Sequence, residues 1–166
     1  MDLTEHPEEA IKYYSGKVTY RKTFAVPANV LSPTTCIRLD LGKVCDLAVI
    51  RINGKEVATL WMPPWTVDVG EFLKAGQNTL EIDVVNPWNN RLVGDLKLPP
   101  EKRRTQTAEK TVNEKTPLLP AGLLGPVKVE FGRKEHIKAG FFPPSRRDNN
   151  SPHIEIEVPQ APVPRG

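Results

Sequence analysis

Hydrophobic residues in this chain recur at every second position, in short runs cut by Gly, Pro and Asn. Val18, Tyr20, Lys22 and Phe24 alternate with Thr19, Arg21, Thr23 and Ala25, the pattern of a half-buried strand. Ile37-Leu39-Leu41 repeats it against Arg38 and Asp40 and stops at Gly42. Leu47 to Ile52 is more continuously apolar, as a central strand requires, and Asn53-Gly54 follows it before Lys55–Leu60 resumes alternation. Asn-Gly supplies the two positive φ angles of a type I′ turn, so residues 47–60 are expected to form a hairpin. Leu80, Ile82 and Val84 give another inward face, and Val127, Val129 and Phe131 a further one. Helical signal is thin: about a turn within Val69–Gly76, ended by Gly76, and a short segment at Pro7–Lys12. Many short strands with this punctuation predict an all-β antiparallel β-sandwich with little helix and exclude a βαβ fold.

A length of 166 residues suits one well-buried domain. The net charge of +3 is small and its cations are scattered. The densest basic stretch, Lys102-Arg103-Arg104, has Glu101 and Glu109 beside it and no interleaved aromatics, so it reads as a solvated loop and not as a nucleic-acid surface. No apolar run approaches the ~20 residues that span a bilayer. The first residues, Met1-Asp2-Leu3-Thr4-Glu5-His6, lack the character of a signal peptide. Cys36 and Cys45 form no metal-binding spacing with His6, His136 or His153. A disulfide between them and two buried thiols both fit, and Cys36 inside Thr35–Leu39 favours the thiol reading.

Two segments leave the strand rhythm. Lys97 to Lys115 is a polar excursion between strands. From Pro143 the chain is proline-rich and includes Arg146-Arg147-Asp148-Asn149-Asn150. The expected division is a sandwich over residues 1–142 and an extension over 143–166. Within the extension His153–Val158 can add an edge strand, and Pro162–Gly166 ends an extended tail.

The stretch richest in chemistry is Asn86-Pro87-Trp88-Asn89-Asn90-Arg91-Leu92-Val93-Gly94-Asp95, read as a loop after the strand at 80–85. Indole, amides, guanidinium and carboxylate together suit a sugar, whose CH faces stack while its hydroxyls take paired contacts. They equally suit a loop that satisfies its own backbone. Trp61-Met62-Pro63-Pro64-Trp65 is the second such stretch: Trp61 is expected in the core, and Trp65 suits either core or a shelf for a pyranose. Glu81 and Asp83 lie two strand steps apart, ~6.6 Å, near the ~6.5–9.5 Å of inverting glycosidases. Any alternating acidic strand gives that separation, so ordinary polar-face residues are the expectation. Phosphate loops and nucleophile elbows are absent, since Ser15-Gly16 lacks the surrounding residues.

These pieces resemble a known module. Tyr14–Phe24 is similar to the opening strand of the galactose-binding-like jelly roll of many glycoside hydrolases, and Asp68–Leu80, with its Gly-x-Asn-x-Leu step, resembles the sugar-binding domains of family 2. Trp61–Trp65, Asn86–Asp95 and Pro120–Val127 together resemble the C-terminal jelly roll of family 106 α-L-rhamnosidases, over about Thr4 to Gly132. The resemblance implies a non-catalytic accessory module, with catalytic carboxylates in a separate barrel, and a chain that is an excised piece, a truncated product or a free-standing relative. It implies plant-type glycans as ligands and a secreted or periplasmic location; the side-chain chemistry of the two stretches above makes Trp88 and Trp65 the stacking platform and Asn89, Asn90, Arg91 and Asp95 the polar contacts. It allows a structural calcium, for which no acidic loop provides a clear ligand set. A purely structural domain docked on a hydrolase barrel, with Arg91 and Asp95 as a buried pair, is the alternative. Hydrolysis by the chain itself, through Glu81 and Asp83, is the third.

Overall fold

The computed structural model describes residues 1–108, 111–133 and 152–157. The extension at 143–151, with Arg146–Asn150, Val158 and the final Pro162–Gly166 segment lie outside the described residues. Among those described, ten strands follow one another: β1 (Gly16–Val26), β2 (Thr35–Asp40), β3 (Lys43–Val44), β4 (Leu47–Ile52), β5 (Lys55–Leu60), β6 (Thr66–Asp68), β7 (Gly76–Asn86), β8 (Leu123–Gly125), β9 (Val127–Arg133) and β10 (His153–Ile156). Two helices, α1 (Glu9–Lys12) and α2 (Asn89–Leu96), accompany short 3-10 turns.

Two four-stranded antiparallel sheets carry the fold, ordered β1-β7-β4-β5 and β10-β9-β2-β6, with β3 and β8 as a separate ribbon. The alternation read from the sequence becomes the burial pattern. Val18, Tyr20, Ile50, Ile52, Leu80, Ile82 and Val84 from the first sheet share one core with Ile37, Leu39, Val127, Val129 and Phe131 from the second. β10 pairs with β9 as an outer strand and sends Ile156 into that core. Leu47–Ile52 is central, between β7 and β5, but alternates in burial instead of being buried on both faces.

Local chemistry explains the turns. Asn53 (φ 51°) and Gly54 (φ 81°) take the expected positive angles between β4 and β5. The buried Asn78 side chain accepts from Lys74 N and donates to Lys74 O and Gly76 O, closing the turn that opens β7. That amide is the physical content of the Gly-x-Asn-x-Leu step. Gly42 (φ 65°) packs so closely on Gly125 that a Cβ would lie 2.4 Å from its carbonyl carbon, which locks two crossovers together. Cys36 and Cys45 are not joined in a disulfide; Cys45 is buried as expected, whereas Cys36 is half-buried with its thiol 3.5 Å from Asp68 Oδ1.

One end of the sandwich gathers the chain segments of chemical interest. Gly16 pairs with Asn86, Leu47 with Val85 and Ala48 with Leu60, so the start of β4 and the ends of β5 and β7 meet there. Both 41–46 and 61–65 cross between sheets at this end, tied by Leu41 N–H donating to Trp65 O. The amino terminus joins it through Leu3 N–H donating to Ala121 O.

Candidate functional site: an aromatic pole

The Asn86–Asp95 stretch, expected as a loop, is mostly helix: α2 begins directly after Trp88 and buries Asn90, Leu92, Val93, Gly94 and Asp95. Leu92 and Val93 supply its apolar face, a signal too short to read against the Asn-rich start. Gly94 is required where α2 crosses Tyr13, since a Cβ there would sit 2.6 Å from the ring's Cγ.

The polar residues of α2 are largely spent inside the protein. Asn90 is fully buried; its amide nitrogen donates to Leu119 O (2.6 Å) and its oxygen accepts from Leu119 N–H (2.8 Å). Asp95 accepts from Arg104 N–H (3.1 Å), Thr105 N–H (2.8 Å) and the Thr105 hydroxyl (2.6 Å), and pairs with Arg91 one turn before it. Burial alone would raise the Asp95 pKa, but the Thr105 hydroxyl and the Arg91 guanidinium outweigh it and hold the carboxyl below its usual range. These two side chains staple the 97–120 excursion onto the helix. Asn89 is half-buried and Trp88 is 62% exposed, at the outer lip of the same helix. Trp65 is half-buried and packs on the core. The structure thus brings Trp88, Asn89, Asn90, Arg91 and Asp95 onto one helix, and Trp65 onto a neighbouring crossover at the same end.

Trp61 departs from expectation. It is 75% exposed where a core position was expected, because Leu60 already fills the inward site opposite Ala48 and the next residue emerges on the outside. Met62, Val85, Leu119 and Met1 join Trp61 and Trp88 as the exposed large hydrophobics among the described residues. All six sit at this pole: Val85 opposite Leu47, Leu119 against Asn90, and Met1 with its ammonium within reach of Leu123 O. Sequence alone did not single out Met62, Val85 and Leu119: Val85 falls on the outward phase of the 80–85 alternation, and Met62 and Leu119 each precede a proline outside any strand pattern.

Glu81 and Asp83 occupy the outer face of the first sheet, as their phase requires, but Asp83 is buried there. Thr19 Oγ1 donates to it at 2.6 Å, Arg51 Nη1 at 2.8 Å and Lys17 Nζ at 3.1 Å. Burial pulls its pKa up, and these hydrogen bonds overcome that to bring it down to about 2. Alongside runs a cross-strand row of alternating charge, Arg21–Glu81–Arg51–Glu56. A carboxylate held this firmly in its ionised form is unsuited to donate a proton as a general acid. Among the described residues, no three of His, Cys, Asp and Glu come together as a metal site. None of the described helices is long and apolar enough to cross a membrane.

Fold and pole together define a β-sandwich of the galactose-binding-like class, built around loops that gather at one end. The chain belongs to the glycosyl hydrolase 2 galactose-binding domain-like family, whose profile matches residues 3–141. A Formosa agariphila protein named as a beta-glucuronidase is 40% identical over 144 aligned residues, covering 73% of this chain and 12% of its own length. The structure of a rhamnosidase from Novosphingobium sp. PP1Y superposes with a TM-score of 0.71 at 41% identity, covering 77% of this chain and 12% of that one. The chain therefore spans about an eighth of the length of either relative.

Proposed function

We propose that this domain is a non-catalytic accessory module of glycoside hydrolases, related to the jelly roll of family 106 rhamnosidases, whose pole docks on a catalytic partner. The observation that carries this reading is the confinement of every exposed large hydrophobic among the described residues to one end of the sandwich. Trp and Met are enriched at protein interfaces, and exposed apolar patches of this kind mark contact surfaces. The most chemically versatile side chains at the pole, Asn90 and Asp95, are saturated internally, so they hold the surface in shape. The likeness to a rhamnosidase and to a beta-glucuronidase supports a hydrolase barrel as the partner. The test is sedimentation of this chain with a Novosphingobium rhamnosidase from which the similar segment has been deleted. A complex that weakens about thirtyfold or more in Trp61→Ser/Trp88→Ser is expected. No complex at micromolar concentrations would contradict docking.

A second reading has its own support. Trp88 is an open indole at the start of a helix that Asn90 and Asp95 immobilise, with the half-buried Asn89 next to it in the chain, which suits a preorganised platform for plant-type glycan. Calorimetric titration with rhamnose-containing pectic oligosaccharides separates the readings: heat that disappears in Trp88→Ala favours sugar, and none favours docking.

A further inference from the structure

One strand of the second sheet is attached differently from the rest. β10 lies on the flank away from the pole, outermost on β9 and beside Lys22–Phe24 of β1. It also lies beyond residues 3–141, which the family profile matches. Its hold on the sandwich is slight. Of the buried core among the described residues, only Ile156 lies past Phe131; Ile154 is half-buried, and His153 and Glu155 are exposed. The ladder runs only from His153 opposite Glu130 to Ile156 opposite Val127, extended by Phe131 N–H donating to Pro152 O. By contrast β1 and β7 pair from Gly16 to Val26. A strand held by one buried side chain opens well before the whole fold does. Nor does a tight turn fix β10 to its own β9. Hairpin loops take about 2–5 residues, whereas nineteen, 134–152, connect this pair. Fully extended, such a length reaches about 60 Å. Opening uncovers the β9 edge, whose N–H and C=O groups then offer a place to another extended chain.

We propose that β10 is a detachable latch, and that the β9 edge beneath it is a strand-acceptor site filled in trans by His153–Ile156 of a second copy. Fit sets the occupant: β9 already seats this sequence, with Ile156 in the core and His153 and Glu155 outward. Exchange between two copies reproduces every contact made within one, so concentration decides the outcome. The tethered strand competes at an effective concentration of about a millimolar, and a second copy succeeds when the protein reaches that range. The site is separate from the pole and stands whether or not the pole docks on a partner.

Hydrogen exchange on the full chain tests the latch. In urea below the unfolding transition, the β10 amides that bond to β9 should exchange about a hundredfold or more faster than those of Leu80–Val84, and with little dependence on urea. Both sets falling on one urea-dependent line would overturn it. Cross-linking tests the occupant. Lys128 and Glu155 stand opposite each other on the outer side of the ladder, so cysteines at these two positions report pairing. In a Cys36→Ser background, Lys128→Cys/Glu155→Cys should close within one molecule. An equal mixture of the two single variants at about 1 mM should give a heterodimer linked from 128 to 155. Closure of the double variant with no link in the mixture would overturn exchange. So would a link that a tenfold excess of a peptide of residues 152–158 leaves undiminished, since it would come from random collision.

Discussion

Asp83 shows how a polar face can hold a buried charge. It lies on the solvent side of the first sheet, yet Lys17, Thr19 and Arg51 close over it and supply three donors. Its pKa of about 2, against 3.8 for the free group, corresponds to about 2 kcal/mol of folding stability. Because the folded value is depressed, that contribution is complete above pH about 4 and disappears as the pH falls towards 2. Asp95, also depressed, adds in the same direction. Urea unfolding from pH 5 to 2 should therefore show a steep loss of stability that Asp83→Asn flattens, while the variant loses roughly 2–3 kcal/mol at neutral pH. Parallel pH profiles for the two proteins would refute this account of Asp83. Gly94 weighs two opposed effects. Alanine improves helix propensity by up to ~1 kcal/mol, but its Cβ would lie 2.6 Å from the rigid root of the Tyr13 ring, an overlap costing roughly 1–3 kcal/mol. Overpacking wins, so Gly94→Ala should lower stability by about 1–2 kcal/mol in the same assay, and a gain would contradict the packing described.

At the scale of elements, α2 and the 97–120 excursion form one unit joined by Asn90 and Asp95. Asn90→Ala removes both bonds to Leu119, with an expected loss of about 2 kcal/mol and faster hydrogen exchange at the Leu119 amide. Asn89→Ala, one residue earlier, should change stability by less than about 0.5 kcal/mol. Equal effects of the two would mean that Asn90 is not the staple. This unit also shows what the sequence conveyed. The strands at 18–25, 47–52, 55–60 and 80–85 were legible because alternation decides which face is buried, and the Asn53-Gly54 turn because few residues tolerate its angles. α2 was not legible: eight residues opening on two asparagines carry little helical signal, and its stability comes from Tyr13 and from a partner strand-to-strand segment far along the chain. Trp61 was misplaced for a related reason. Composition favours a buried tryptophan, but its position is set by pairing of Leu60 with Ala48, which only the register reveals.

For the whole molecule, the asymmetry of the surface is the dominant feature. Among the described residues, one end collects six exposed hydrophobics, both sheet-to-sheet crossovers and the amino terminus. Exposed indoles contribute little to folding, so Trp61→Ser/Trp88→Ser should melt within a degree or two of the parent while binding less of an apolar dye such as bis-ANS. Unchanged dye binding would mean that the pole is not the main apolar surface. The account's central claim concerns where a partner sits, and amide hydrogen exchange on the complex with the segment-deleted rhamnosidase reads that location directly. Protection should appear at 61–65, 85–91 and 118–120 and leave 22–24 unchanged; protection at the flank with none at the pole would contradict it.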